Sequence, residues 1–213
     1  MGENISIQTL QRLPVYLNYL KSDAVSRGGN ISAGAIAAAL GLGEIQVRKD
    51  LAQVSSGGRP KLGYCIEELK TDIETFLGCN DTKDAVLVGA GKLGRALLDY
   101  SGFAEYGLEI VAAFDSDPAV IGEDDCNGKK ILPAEKLTDL CRRMNIHIGI
   151  ITVPAAHAQK VCDALVEGGV RAIWNFAPCH LEAPDNILVK SENMAISLAV
   201  LSRHLTELSE KEK

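Results

Sequence analysis

The chain has 213 residues, of which 46% are hydrophobic and 23% are charged, and its net charge is −6. A negative total argues against a general polyanion binder, and residues 31–42, the richest small-apolar stretch, are too few for a membrane span of roughly 20 residues. Six scattered cysteines form no Cys-x-x-Cys pair, and no histidine lies at ligand spacing, so we expect a cytoplasmic protein without a metal site.

The first helices are predicted from apolar spacing and capping residues. Leu13, Tyr16, Leu17 and Leu20 recur at helical spacing, which predicts a helix to about residue 27 with glycines at its end. Pro14 lies in its first turn if the helix begins near residue 11 or 12, and otherwise kinks it. Ser32 is a good N-cap for a second, Ala-rich helix over residues 33–40.

A third helix is predicted over residues 44–54, with Val47, Leu51 and Val54 on its apolar side. Its other side is polar and basic, and carries Gln46, Arg48, Lys49, Asp50 and Gln53. Residues 55–64 then predict a Gly-rich hairpin with Arg59 and Lys61 at its tip. A fourth helix over residues 66–77 completes a winged helix-turn-helix pattern within residues 1–80.

This pattern predicts a DNA-binding surface. Gln46, Arg48 and Lys49 are candidates for base edges and phosphates in a major groove, while Arg59 and Lys61 are candidates for phosphates or the minor groove. Residues 1–80 carry eight basic and eight acidic residues, whereas residues 81–213 carry fourteen and twenty. The basic face is therefore local, and the alternative is a solvated helix and turn without a nucleic-acid partner.

Short apolar runs alternate with helical segments after residue 81. The runs at residues 85–88, 108–114, 147–153 and 170–176 predict strands, and residues 93–100, 134–144 and 156–167 predict helices between them. This alternation is typical of a parallel sheet of βαβ units, and we assign it to residues 81–190. A final helix, about residues 193–209, carries an apolar stripe that can pack on its own sheet or on a second subunit, formed by Met194, Leu198, Leu201, Leu205 and Leu208.

The first predicted strand runs directly into a G-x-G-x-x-G motif made of Gly89, Ala90, Gly91, Lys92, Leu93 and Gly94. In a Rossmann-like unit these glycines permit a tight turn, close approach of a pyrophosphate and close packing of helix on strand. Asp115 follows Gly94 at the end of the next strand, where a carboxylate accepts hydrogen bonds from an adenosine ribose. Because no arginine follows Asp115 closely, the motif favours NAD(H) over NADP(H).

Two later loops are candidates for the nicotinamide wall. Val153 and Pro154 follow one strand, and Asn175 and Phe176 follow the next, on the side where an open α/β sheet binds ligands. An apolar wall disfavours the positively charged ring of NAD⁺ and so prefers NADH. The alternative for these loops is ordinary packing at the sheet edge.

The sequence offers weak support for an enzyme. A dehydrogenase needs a proton donor or base near the ring, and the four histidines come without an evident orienting carboxylate. We therefore expect a transcription regulator without catalytic residues, and keep a small NAD-dependent oxidoreductase, or a regulator with a ligandless scaffold, as alternatives.

Taken together, these segments resemble the Rex family of bacterial redox-sensing transcriptional repressors over nearly the full chain. The resemblance rests on Arg12-Leu13-Pro14, Gln46-Val47-Arg48-Lys49-Asp50-Leu51, Gly63-Tyr64, residues 89–94 and 96–100, Phe114-Asp115, Val153-Pro154, Ala158-Gln159 and Asn175-Phe176-Ala177-Pro178. It implies a homodimer in which residues 191–213 form a domain-swapped C-terminal helix, release of operator DNA when NADH binds, and competition from NAD⁺. It also implies that Arg12 and Tyr100 act as an interdomain switch.

Overall fold

The computed structural model describes residues 5–22, 25, 29–122, 128 and 130–211. The chain forms two compact units, one of residues 1–81 with 105–107 and the other of residues 82–104 with 108–213. The first unit is mainly helical and the second contains a six-stranded sheet. Among the described residues, none of the helices is both long and apolar enough to span a membrane.

The first unit packs four helices around an apolar core and adds a two-stranded ladder. Strand β1 (Asn30–Ile31) pairs antiparallel with β2 (Tyr64–Cys65). The helices are α1 (Ile7–Lys21), α2 (Ala33–Leu40), α3 (Glu44–Val54) and α4 (Ile66–Leu77). The bounds of α2, α3 and α4 confirm the prediction, and the Ser32 hydroxyl accepts a hydrogen bond from Ala35 N as an N-cap should.

Helix α1 differs from its prediction at both ends. It begins at Ile7, because the Ser6 side chain caps it by accepting from Thr9 N, and Pro14 therefore lies in its interior instead of its first turn. It ends at Lys21, where the Ser22 hydroxyl donates to the Tyr19 carbonyl at 2.6 Å. The predicted end at residue 27 lies outside the described residues. The prediction was wrong because it followed the apolar spacing, which begins only at Leu13.

The expected hairpin at residues 55–64 is a loop that ends in a tight turn. Arg59 and Gly63 exchange two backbone hydrogen bonds of 2.9 Å, and Lys61, with φ 64°, stands at the tip. Strand β2 pairs with the segment before α2 instead of folding back on residues 55–58. Gly63 is required there, because its φ is 80° and a Cβ would collide with the Ile31 carbonyl oxygen.

The second unit is a parallel sheet with helices on its faces, as predicted. Its strands lie in the order β5-β4-β3-β6-β7-β8, and every neighbouring pair is parallel. The strands are β3 (Lys83–Val88), β4 (Leu108–Asp115), β5 (Ile131–Pro133), β6 (Ile148–Ile151), β7 (Ala172–Asn175) and β8 (Leu188–Ser191). The sequence predicted four of these six strands and missed β5 and β8. The strand order reverses between β3 and β6, which opens a ligand crevice beyond their carboxyl ends.

The helices of this unit are α5 (Lys92–Leu98), α6 (Leu137–Met144), α7 (Ala155–Glu167) and α8 (Met194–Lys211). A 3-10 turn (Ala134–Lys136) precedes α6, so the helix predicted from residue 134 begins three residues later. The apolar side chains described on α8 are 52% to 65% exposed, namely Ile196, Leu198, Val200, Leu201 and Leu205. The stripe on α8 therefore leaves a large apolar surface open.

Candidate functional site

The glycine loop between β3 and α5 is shaped by three different requirements. Gly89 has a φ of 105°, and a Cβ there would lie 2.8 Å from the backbone carbonyl carbon of Thr152. A Cβ on Gly94 would collide with the Gly89 carbonyl oxygen, so this glycine lets α5 pack on the loop. Gly91 is the N-cap of α5, and a Cβ there would meet no described atom within 4 Å. The open space lies where a pyrophosphate would approach the helix N-terminus.

Asp115 is fixed beside this loop at the end of β4. Its Oδ2 accepts a hydrogen bond of 2.7 Å from Ala90 N, and its Oδ1 accepts one of 2.9 Å from Asp117 N. A carboxylate has about four acceptor positions, so capacity remains for ribose hydroxyls. Ala90 is buried, and its N–H is thus used to hold the acid.

A cleft of about 490 Å³ opens at the switch point of the sheet. It is lined by Val88, Gly89, Gly91, Asp115, Ser116, Ala134, Glu135, Leu137, Thr138, Thr152, Val153, Pro154, His157, Lys160, Val161 and Ala164. The structure thereby brings together five predicted residues, Gly89, Gly91, Asp115, Val153 and Pro154. The Thr152 hydroxyl joins the two sides of the cleft, since it lies 2.7 Å from the Gly89 carbonyl oxygen and donates to it.

Several residues of the cleft were not identified from the sequence. Glu135, Thr138, His157 and Lys160 come from the turn before α6 and from α6 and α7, which flank the crevice. These residues could have been identified from their position just after the strands β5 and β6, at the carboxyl edge of the sheet. Strand β5, which precedes Glu135 and Thr138, was not predicted. Lys92 and Leu93, which were predicted as part of the loop, form the first turn of α5.

Asn175 and Phe176 lie outside the residues that line the cleft. Asn175 is completely buried, and its side-chain amide holds the following loop through the Ala177 and Cys179 carbonyl oxygens, at 3.2 Å and 3.1 Å. Phe176 packs on Trp174 with ring centroids 4.8 Å apart. Their contact with a nicotinamide stays a prediction.

Phe176 belongs to a row of aromatic rings. Trp174 contacts Phe103 edge to face at 5.6 Å, and Phe103 contacts Tyr100 in the same way at 4.9 Å. The row ends at Tyr100, which is 58% exposed. Its interdomain role stays a prediction.

Three of the four basic side chains predicted for DNA contact converge in the first unit. Arg48 on α3 and Arg59 and Lys61 on the turn line one concavity of about 520 Å³, together with Glu44 and the start of α2. Arg48 pairs with Glu44 one helical turn earlier, an exposed ion pair of small energy. Lys49 and Gln46 are exposed on α3, outside the residues that line this concavity.

Asp50 corrects the prediction for the polar face of α3. It is 1% exposed and accepts hydrogen bonds from three residues of α1. Arg12 Nε and Nη2 lie 2.7 Å and 3.0 Å from its oxygens, the Tyr16 hydroxyl 2.8 Å and the Thr9 hydroxyl 3.1 Å. Asp50 is buried because it binds Arg12, which lies far away along the chain but in the same unit. Arg12 was predicted as a switch residue.

The electrostatics of this cluster follow from burial and pairing. Burial disfavours the Asp50 carboxylate, but the hydrogen bonds from Arg12, Tyr16 and Gln46 outweigh it and lower the pKa of Asp50. Burial, with the hydrogen bond to Asp50, raises the pKa of Tyr16 to about 12. Asp50 is thus a buried anion that ties α3 to α1.

Two family models match this chain. The model described as "CoA binding domain" matches residues 80–179, and the one described as "Putative DNA-binding protein N-terminus" matches residues 4–52. The redox-sensing transcriptional repressor Rex of Carboxydothermus hydrogenoformans is 42% identical over 201 residues, 94% of this chain and 96% of that protein. The Rex repressor of Treponema denticola is 40% identical over 193 residues, 91% of each chain.

Solved structures agree with these relatives. The structure of RSP in complex with β-NAD⁺ and operator DNA is 30% identical with a TM-score of 0.91, and covers 99% of this chain and 96% of its own. RSP in complex with β-NADH is 31% identical with a TM-score of 0.86, over 99% of this chain and all of its own, and RSP is described as a Rex-family repressor. The chain described here therefore belongs to the Rex family of redox-sensing transcriptional repressors.

Proposed function

We propose that this protein is a cytoplasmic repressor that binds operator DNA as a homodimer and releases it when NADH binds, with NAD⁺ competing for the same cleft. The observation that carries the proposal is the cleft itself, which is lined both by the glycine loop and by Asp115, held in place by the Ala90 N–H. RSP, similar over nearly the whole chain, was solved with β-NAD⁺ and operator DNA and with β-NADH.

The nucleotide is held by the backbone N–H groups at the start of α5 and by the Asp115 carboxylate. The pyrophosphate lies against Gly91 and the N-terminus of α5, where unpaired N–H groups and the helix dipole favour an anion. The ribose hydroxyls donate to Asp115, whose negative charge disfavours a 2′-phosphate. The bound group supplies the redox signal through its nicotinamide ring, and these residues bind and orient it.

DNA is bound by the first unit. Helix α3 enters the major groove, where Lys49 and Arg48 contact phosphates or base edges, and the turn that carries Arg59 and Lys61 contacts the neighbouring backbone. A twofold dimer places two such helices about 34 Å apart, one turn of DNA.

The second subunit packs through α8. Isolated apolar side chains are common on protein surfaces, whereas several exposed apolar side chains on one helix are typical of an interface. A domain-swapped helix buries this stripe in the neighbouring protomer, and NADH binding rotates the two subunits so that the recognition helices lose their spacing.

A gel-shift titration tests this function. Purified full-length protein is added to operator duplex, and NADH is titrated with and without excess NAD⁺. We expect NADH to release the duplex and NAD⁺ to shift that release to higher NADH concentration. Operator affinity that stays constant while NADH saturates the protein would refute the coupling, and NADH turnover with an added substrate would favour the oxidoreductase.

A further inference from the structure

Gln46 makes a contact that bears on sequence recognition. It is exposed on α3, one helical turn before Asp50, and its Nε2 lies 2.9 Å from Asp50 Oδ1. Asp50 itself is held by Arg12, Tyr16 and Thr9 of α1, so its position does not depend on Gln46.

The chemistry of this contact fixes the orientation of the amide. An ionised carboxylate only accepts hydrogen bonds, so only the amide nitrogen of Gln46 can face it. The pKa of Asp50 lies below the usual carboxyl value, which keeps the carboxylate ionised at neutral pH. With the nitrogen turned toward the buried acid, the carbonyl oxygen Oε1 is left for the exposed side of α3.

We propose that Asp50 locks Gln46 with its carbonyl oxygen toward the major groove, so that Gln46 accepts a hydrogen bond from adenine N6 or cytosine N4 on the strand that it faces. This inference rests on the proposed function, because it requires α3 to read operator DNA. In the major groove, adenine N6 and cytosine N4 are donors, whereas guanine O6 and thymine O4 are acceptors. A locked acceptor therefore favours adenine or cytosine and repels guanine or thymine. Asp50 is a positioning residue in this scheme and Gln46 is the residue that reads.

The first measurement defines the position. Full-length protein selects duplexes from a random pool, and bound sequences are compared among wild type, Gln46→Ala and Gln53→Ala. Gln53 is the matched control, because it is an exposed glutamine on the same helix. We expect one position in each half-site to be selected with adenine or cytosine always on the same strand, and Gln46→Ala to relax that position alone while Gln53→Ala leaves it intact.

The second measurement tests the amino group on folded wild-type protein. At that position the selected base is replaced by its analogue without the exocyclic amine, purine 2′-deoxyriboside for adenine or 2-pyrimidinone 2′-deoxyriboside for cytosine. We expect wild-type affinity to fall about 2- to 12-fold, and Gln46→Ala to bind both duplexes equally. Equal wild-type affinity for both duplexes would overturn the assignment.

The role of Asp50 is tested by Asp50→Asn. An asparagine both donates and accepts, so the Gln46 amide is free to turn, and we expect the ratio of affinities for the duplexes with and without the exocyclic amine to fall toward one. Retained discrimination in a folded Asp50→Asn protein would contradict the lock. If no sequence is enriched by wild type, the proposed function falls; if sequences are enriched but no position depends on Gln46, only this inference falls.

Discussion

Gly91→Ala separates nucleotide binding from folding. Gly91 has an ordinary φ of −72°, and a Cβ there meets no described atom within 4 Å, so the folded state accommodates alanine. Alanine is a poorer N-cap than glycine, but it also restricts the unfolded chain, and each effect is worth about 0.5 kcal/mol. Because the two have opposite signs, we expect the free energy of unfolding to change by less than about 1 kcal/mol, which corresponds to a Tm shift below about 4 °C.

The effect on the nucleotide is much larger. The added methyl group projects into the space through which the pyrophosphate reaches the N–H groups at the start of α5. A hydrogen bond to a charged group is worth about 1.5–3 kcal/mol, so loss of one such bond weakens NADH about 10- to 150-fold. The variant should still bind operator DNA, and NADH at concentrations that release wild type should leave its complex intact.

Nucleotide titration followed by the fluorescence of Trp174, the single tryptophan, measures this loss. Gly43→Ala is the matched control, because Gly43 is also an N-cap glycine with an ordinary φ, −75°, and open space around a Cβ. It should cost the same cap energy and leave NADH affinity unchanged. An NADH affinity of Gly91→Ala within twofold of wild type would refute the placement of the pyrophosphate.

Four further outcomes follow from the structure. Asp50→Asn should destabilise the first unit by about 3 kcal/mol at neutral pH. Because the folded pKa of Asp50 is lowered, this difference is present above about pH 4 and shrinks as the pH falls further, which urea unfolding at several pH values measures. Tyr16 has its folded pKa raised to about 12, so its stabilisation is lost between about pH 10 and 12, and Tyr16→Phe should flatten the alkaline fall in unfolding free energy. Asp115→Ala should weaken NADH at least about tenfold in a calorimetric titration, since charge-assisted bonds are lost. Replacing Leu201 and Leu205 together by lysine should convert the dimer to monomers by light scattering, and a dimer of unchanged affinity would exclude α8 from the interface.

The sequence was most informative where structure depends on neighbouring residues. Ser32 and the apolar spacing defined α2 and α3, and the strand followed by three glycines defined the loop and its acid. The prediction of a redox-sensing repressor is confirmed by relatives that match over more than nine tenths of the chain. Capping and glycine requirements are local, which explains why one sequence is enough to identify them.

The sequence was least informative where structure depends on distant partners. Asp50 was assigned to the polar face of α3 because its partner Arg12 lies 38 positions away along the chain. Strand β5 has only three residues and β8 ends in Lys190 and Ser191, so neither gives an apolar run, and their pairing with β4 and β7 defines them. The lining that α6 and the turn before it give to the cleft follows β5 and could not be predicted.

The pairing through α8 that we propose would make the response of this regulator depend on its own abundance. Association of two protomers is second order, so the fraction of paired molecules rises with copy number, and operator occupancy is set by that fraction as well as by the nucleotide. A cell that makes few molecules would release its genes at a lower NADH level than one that makes many. Expression level is thus a second input to the redox threshold.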